Sequence, residues 1–262
     1  MSYATLQSIQ YVNASLQFAA ATNEVPQSFV ECLVPIHNAR LEDSELSLHR
    51  DGFMLAAHKT AVRDFYDSSE VTNIYYSEIA SLVRNITNAT FVTVFTHAIR
   101  RAAKEGRGDP AIQQPFKLVH NDYTAKTGPI RVREVLGSQA HHYMQYPFSI
   151  FNIWRPLHGP LQESPLAVCN ATSVTARHVV PILSKDPGGK QIIVYSLTFN
   201  PEQRWSYFPM MHPDEVLIFK TFDSRDDGRA RFTFHSAFDD PNTPANARPR
   251  ESVEVRVIGF FI

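Results

Sequence analysis

The chain has 262 residues, 44% of them hydrophobic and 19% charged, with a formal net charge of −1 at pH 7. That is enough apolar material for one well-buried core, so a single domain over residues 1–262 is expected. No basic stripe favours nucleic acid, and no apolar run approaches the length of a membrane span. Cys32 and Cys169 stand alone, without a Cys-x-x-Cys pair, which fits a reducing compartment. The N-terminus lacks a basic region followed by an apolar one, so a cytoplasmic location is expected. Nucleotide-binding glycine loops and the Gly-x-Ser-x-Gly elbow of serine hydrolases are also missing from the sequence.

In chain order, apolar residues at helical spacing over 56–66 and 71–86 predict helices, giving an N-terminal helical layer over about residues 1–90. Residues 91–95 and 116–123 read as strands, and 131–143 as a helix. Short strand-like runs follow at 148–154, 166–169, 178–183, 191–197, 216–222, 231–234 and 253–261, each bounded by Pro, Gly, Asn or Asp. Many short strands at close spacing predict a mainly β fold with flanking α. The expected form is a double-stranded β-helix, or jelly roll, with its core over about 91–262. Residues 239–249 form a polar, Pro-rich loop between two of these strands.

The chemistry rests on His120-Asn121-Asp122, at the end of an apolar run. Residues i and i+2 of a strand share a face, so His120 and Asp122 can converge on one metal. A chain with 11 histidines yields such a triplet by chance, and a second one, His212-Pro213-Asp214, is present. Downstream context separates them. His235 lies 115 residues after His120, room for strands to leave and return, but only 23 after His212. Two histidines and one carboxylate leave three positions open on iron(II), enough for a chelating cosubstrate and dioxygen. Arg250 and Ser252, again i and i+2, open the last strand. An arginine fork with a hydroxyl beside it suits the far carboxylate of a dicarboxylic cosubstrate.

Other residues admit two readings. Asn152 and Arg155 can bond cosubstrate or substrate, or serve structure alone. Phe116, Trp205 and Tyr207 are candidates to line an apolar substrate pocket, although aromatics in strands are commonly core. His141 and His142 are neighbours on a predicted helix and diverge by about 100°.

The ordered set His-x-Asp, distal His, Arg-x-Ser resembles the iron(II)/2-oxoglutarate dioxygenases with a double-stranded β-helix core. More narrowly it is similar to the family that groups the cephalosporin 7α-methoxylase subunit, fungal hydroxylase/desaturases and a fungal meroterpenoid endoperoxidase. The stretches that carry the likeness include Val119-His120-Asn121-Asp122-Tyr123-Thr124, Asn152-Ile153-Trp154-Arg155-Pro156, Trp205-Ser206-Tyr207-Phe208-Pro209, His235-Ser236-Ala237-Phe238-Asp239 and Pro249-Arg250-Glu251-Ser252-Val253. They span roughly residues 110–258. Asn170 departs from the pattern, where an Asp is expected. The resemblance implies iron(II) on His120, Asp122 and His235, 2-oxoglutarate held by Arg250 and Ser252, and dioxygen as oxidant. It implies hydroxylation, desaturation or endoperoxide formation on an apolar secondary metabolite. A homodimer is a separate expectation that no residue pattern carries. Two rivals stay open on the residues alone: a cupin-like metal enzyme without 2-oxoglutarate, and a non-catalytic jelly-roll partner subunit.

Overall fold

A computed structural model describes residues 8–21, 28–102, 113–185 and 189–262. Two five-stranded sheets face each other. The first has the order β1 (Tyr11–Ala19), β2 (Phe29–Asn38), β9 (Trp205–Tyr207), β6 (Leu166–Cys169) and β11 (His235–Ala237). The second has the order β3 (Phe53–Ala57), β10 (Glu215–Asp223), β5 (Phe148–Pro156), β12 (Glu251–Phe260) and β4 (Phe91–Arg101). A separate hairpin joins β7 (Val179–Lys185) to β8 (Gln191–Leu197). This is the jelly-roll architecture expected of the sequence.

Period-two alternation decides what each sheet buries. On β5 and β12 one set of residues, Phe151, Ile153, Val253, Val255 and Val257, meets the helical layer. The alternate set, including Trp154 with Leu217 and Phe219 of β10, fills the space between the sheets. The helical layer begins at α1 (Ser68–Glu70), passes through a π-helical turn at Val71–Tyr75 and continues as α2 (Tyr76–Thr87). Asp67 caps its start by accepting from the Ser69 amide at 2.8 Å. Asn88, with φ 57°, ends it in the left-handed conformation. Val71, Tyr75, Ile79 and Val83 are all fully or almost fully buried on one stripe against the sheet. Each such aliphatic side chain contributes about 1.5–3 kcal/mol by leaving water.

The expected N-terminal helical layer is corrected in extent. Its first half is strand: β1, β2 and β3 precede the helices. Residues 56–66 end β3 and run on as irregular chain rather than forming a helix. β1 alternates between faces, with Val12, Ala14, Leu16 and Phe18 buried while Tyr11, Asn13, Ser15 and Gln17 are exposed. The predicted helix over 131–143 occurs as α3 (Thr127–Leu136) and α4 (Ala140–Tyr143), parted at Gly137 with φ 54°. Residues 231–234 lie outside the named strands, although the Phe234 carbonyl already accepts from the Cys169 amide at 2.8 Å, and the strand begins at His235.

Gly128 sits where α3 crosses the buried ring of Phe222. A Cβ there would lie 2.5 Å from Cδ2 and 2.7 Å from Cγ of that ring. Gly128→Ala is therefore expected to destabilise the fold by about 1–3 kcal/mol, the range for overpacking a filled core. Urea unfolding checks this, and an unchanged midpoint would contradict the packing described.

Candidate metal centre

His120 and His235 face each other across a short antiparallel bridge. The His120 amide donates to the His235 carbonyl at 3.1 Å, and the His235 amide returns the bond at 2.9 Å. Their ring centroids stand 4.3 Å apart. Asp122 lies two residues on from His120, so its carboxylate falls on the same side. The three side chains each offer one ligand atom, and these atoms lie within 4.8 Å of one another. Among the described residues this is the one group of three or more His, Cys, Asp or Glu side chains so arranged. His212-Pro213-Asp214 does not take part.

Hydrogen bonding sets the chemistry of each ligand atom. His120 Nδ1 is 2.8 Å from the Leu118 carbonyl, and His235 Nδ1 is 3.0 Å from the Thr233 carbonyl. A carbonyl only accepts, so both Nδ1 atoms carry the proton and both Nε2 lone pairs stay free. Asp122 Oδ2 accepts from Asn152 Nδ2 at 2.8 Å and from Arg256 Nε at 2.9 Å. That leaves Oδ1 toward the imidazoles, 3.6 Å from His120 Nε2. Ligand atoms about 2.1 Å from one ion at right angles lie about 3 Å apart, so a small contraction completes the face.

The protonation states agree. Burial, with the neighbouring His235, pushes His120 down to about 3. Burial likewise lowers His235. Burial opposes ionisation of Asp122, but Arg256, the two imidazoles and Asn152 hold it well below the usual carboxylate range. Two neutral imidazoles and one carboxylate are the donor set that a two-His, one-carboxylate iron site requires. The residues present therefore fit the metal.

Asn121 holds this arrangement. Fully buried between the two ligands, it donates from Nδ2 to the carbonyls of Tyr123 (2.7 Å) and Thr221 (2.9 Å) and accepts from the Thr233 amide (3.3 Å). Its backbone exchanges bonds with Tyr195 of β8. Sequence reasoning treated Asn121 as the variable residue of a triplet. A buried amide between two ligands was the available signal.

The other expected site residues divide. Phe116 meets His120 edge to face at 4.7 Å between centroids. Asn152 touches Asp122. Arg250 and Ser252 are buried together, with Arg250 Nε donating to Ser252 Oγ at 3.1 Å and Nη1 to the Ser164 carbonyl at 2.8 Å. The Arg250 guanidinium lies 4.9 Å over the Trp154 ring.

Arg155 is corrected. It points to the opposite face of β5, where Nε donates to Tyr75 Oη at 2.9 Å and the guanidinium also bonds Pro213 and His58. Its role is to tie the helical layer to the sheet. Trp205 and Tyr207 are corrected as pocket residues. In the register of β9 with β6 and β11, Ser206 shares a side with Val168 and His235, so its neighbours face the other way. Trp205 and Tyr207 pack there with Phe18 and Phe238. Asn170, the departure from the expected pattern, is not a member of the triad. It donates to Asp51 at 2.9 Å and caps the short helix Ala171–Ser173.

A cavity of about 660 Å³ opens onto His120 and Asp122. Phe116, Ile130, Ile193 and Val194 give it apolar walls, and Arg100, Arg131, Lys185 and Arg256 give it positive charge. Arg250 and Ser252 lie outside this lining.

A family model described as "Oxidoreductase/YMDC permease-like domain" matches residues 5–260. The hydroxylase/desaturase efuI of Hormonema carpetanum is 31% identical over 249 residues, covering 87% of this chain and 83% of that protein. The chain belongs to the Fe(II)/2-oxoglutarate-dependent dioxygenases. Within that family, the Fe(II)/2-oxoglutarate-dependent dioxygenase nvfI of Aspergillus novofumigatus is 29% identical, covering 87% of this chain and 82% of the relative. A solved structure of the iron and alpha-ketoglutarate-dependent endoperoxidase NvfI superposes with a TM-score of 0.84 at 26% identity. It covers 96% of this chain and 98% of that one. As a dioxygenase of this family the chain uses Fe(II) and 2-oxoglutarate, and among the described residues no helix is long and apolar enough to cross a membrane.

The two bonds to Asp122 Oδ2 orient the carboxylate that faces the histidines. Asn152→Ala removes one of them, and iron(II) affinity is expected to fall about 10–100-fold with the fold intact. Anaerobic competition with a chelator measures this. An affinity unchanged within twofold would show that Arg256 alone suffices.

Proposed function

We propose that His120, Asp122 and His235 bind iron(II), that Arg250 and Ser252 hold the far carboxylate of 2-oxoglutarate, and that the substrate is a secondary metabolite with an apolar skeleton. The observation that carries this reading is the pair of Nδ1–carbonyl bonds together with the ionised Asp122, which leave three ligand atoms free within 4.8 Å of one another. Bound iron(II) with 2-oxoglutarate supplies the oxidising chemistry, in which dioxygen converts the cosubstrate to succinate and carbon dioxide and hydrogen is removed from the substrate.

The chain's own residues set the conditions. Arg256 and Asn152 keep Asp122 ionised and aimed. Phe116 and Phe219, 4.7 and 4.6 Å from the two imidazoles between centroids, shield the ligands from water. Arg250 offers Nη2, which makes no hydrogen bond among the described residues. Beside it, Trp154 Nε1 is buried without an acceptor. A carboxylate here would accept from both donors, and burying them unsatisfied costs about 1–3 kcal/mol each. Burial, reinforced by the like charge of Arg100, pushes Arg250 down to about 9, so a neighbouring anion is favoured. The apolar walls suit a carbon skeleton. The relatives' names span hydroxylation, desaturation and endoperoxidation, and the ligand set is common to all three outcomes.

An anaerobic titration of metal-free protein with iron(II) and 2-oxoglutarate tests the reading. A weak visible charge-transfer band is expected only when both are present. It is expected to be absent in His120→Ala, and Arg250→Ala is expected to need at least tenfold more 2-oxoglutarate to reach it. Iron binding without the band would favour a metal enzyme that does not use 2-oxoglutarate.

A further inference from the structure

The cavity's charge is not explained by the metal and cosubstrate. Five of its lining side chains are cationic, Arg100, Arg131, Lys185, Lys190 and Arg256, against two acidic ones, Asp122 and Glu134. Yet the whole chain has a net charge of only −1. Some of these cations are committed. Arg256 bonds Asp122 and Glu254, and Arg131 bonds Glu134 at 3.0 Å. Arg100 and Lys185 make no ion pair among the described residues. The Arg100 guanidinium donates to the Gln114 carbonyl from Nη1 at 3.0 Å and leaves Nε and Nη2 without acceptors among the described residues.

Arg100 is placed by register. It pairs with Ser252 across β4 and β12, on the sheet face that carries Arg256 and Asn152. Ser252 is four residues along β12 from Arg256, about 13 Å at the rise of a strand. The wall beside these cations is apolar, and it keeps large side chains exposed: Phe116 at 37%, Ile130 at 49% and Ile193 at 46%. Exposed apolar surface beside an uncommitted guanidinium suits a ligand with both characters.

We infer that Arg100 is a specificity residue that binds a carboxylate of the substrate, so that the molecule oxidised is an amphipathic organic acid. This rests on the iron and 2-oxoglutarate reading above. The carboxylate binds at Arg100, with Lys185 on the cavity wall adding attraction. The apolar skeleton lies along Phe116 and Ile193, and the carbon to be oxidised lies toward Asp122, away from the carboxylate. Arg250 remains the partner of the cosubstrate, because its Nε and Nη1 are bonded within the protein, Nη2 is left over, and it stacks on Trp154, whose buried Nε1 has no acceptor among the described residues.

The test uses anaerobic protein loaded with iron(II) and 2-oxoglutarate, with 2-naphthylacetate and its uncharged amide as probes in titration calorimetry. The acid is expected to bind at least tenfold more tightly than the amide. Arg100→Gln is expected to erase that preference, Arg100→Lys to restore part of it, and Lys185→Gln to reduce it severalfold. Equal affinity for acid and amide, no binding of the acid, or a preference that survives Arg100→Gln would overturn the inference. If Arg100→Gln raises the 2-oxoglutarate midpoint as far as Arg250→Gln does, Arg100 serves the cosubstrate and the inference also falls. A missing charge-transfer band in the unsubstituted protein would overturn the underlying reading and this inference with it. A normal band without acid preference overturns this inference alone.

Discussion

The structure turns on one short antiparallel bridge, between His120 and His235. It joins two segments that are 115 residues apart in sequence, and it fixes their imidazoles 4.3 Å from each other. Such a bridge has only two backbone bonds and is weak alone. Asn121 makes it rigid by bonding Tyr123, Thr221 and the Thr233 amide from one buried side chain. Replacing that amide would leave several buried groups unpaired, at about 1–3 kcal/mol each. The jelly roll can be read as the frame that brings these strands into register. Its outer layers, the helices on β5 and β12 and the aromatic cluster on the far side of β6 and β9, keep the register from slipping.

Charge is the second constraint. A carboxylate buried beside two imidazoles would tend to protonate. Arg256 prevents this, and Glu254 balances Arg256 in turn. The sheet face therefore carries a chain of paired charges leading to the ligand site. Arg250 and Arg100 interrupt the pairing, since neither has an acidic partner within ion-pair distance among the described residues. A buried cation without a partner, such as Arg250, is costly unless an anion arrives, and Arg100 is half-buried beside it in the sheet. The site thus invites anionic ligands, although the composition of the chain gives no sign of it.

How much of this was legible in the sequence depends on the interaction involved. His120, Asp122 and His235 were readable because strand periodicity and chain separation are properties of the sequence. The strand with an unbroken apolar run, Leu166–Cys169, was readable from composition, and Gln191–Leu197 from its β-branched and aromatic residues. Arg155 was not, because which face of β5 carries function depends on what packs on each side. Trp205 and Tyr207 show the same limit: their alternation was visible, but the direction of the cavity was not. β1 and β2 were missed although β1 alternates cleanly, since its polar positions masked a strand that is solvated on one face. Arg100 could not be found at all, because it shares the cavity with residues far away in sequence and belongs to no local pattern.

The most direct test of the central claim follows the oxygen. Protein reconstituted with iron(II) is given 2-oxoglutarate under oxygen-18 gas, and the succinate is analysed by mass spectrometry. The account predicts that a single labelled oxygen atom enters succinate, even in slow turnover without substrate, and that His235→Ala produces none. Unlabelled product, or no succinate from protein that binds iron stoichiometrically, would contradict it.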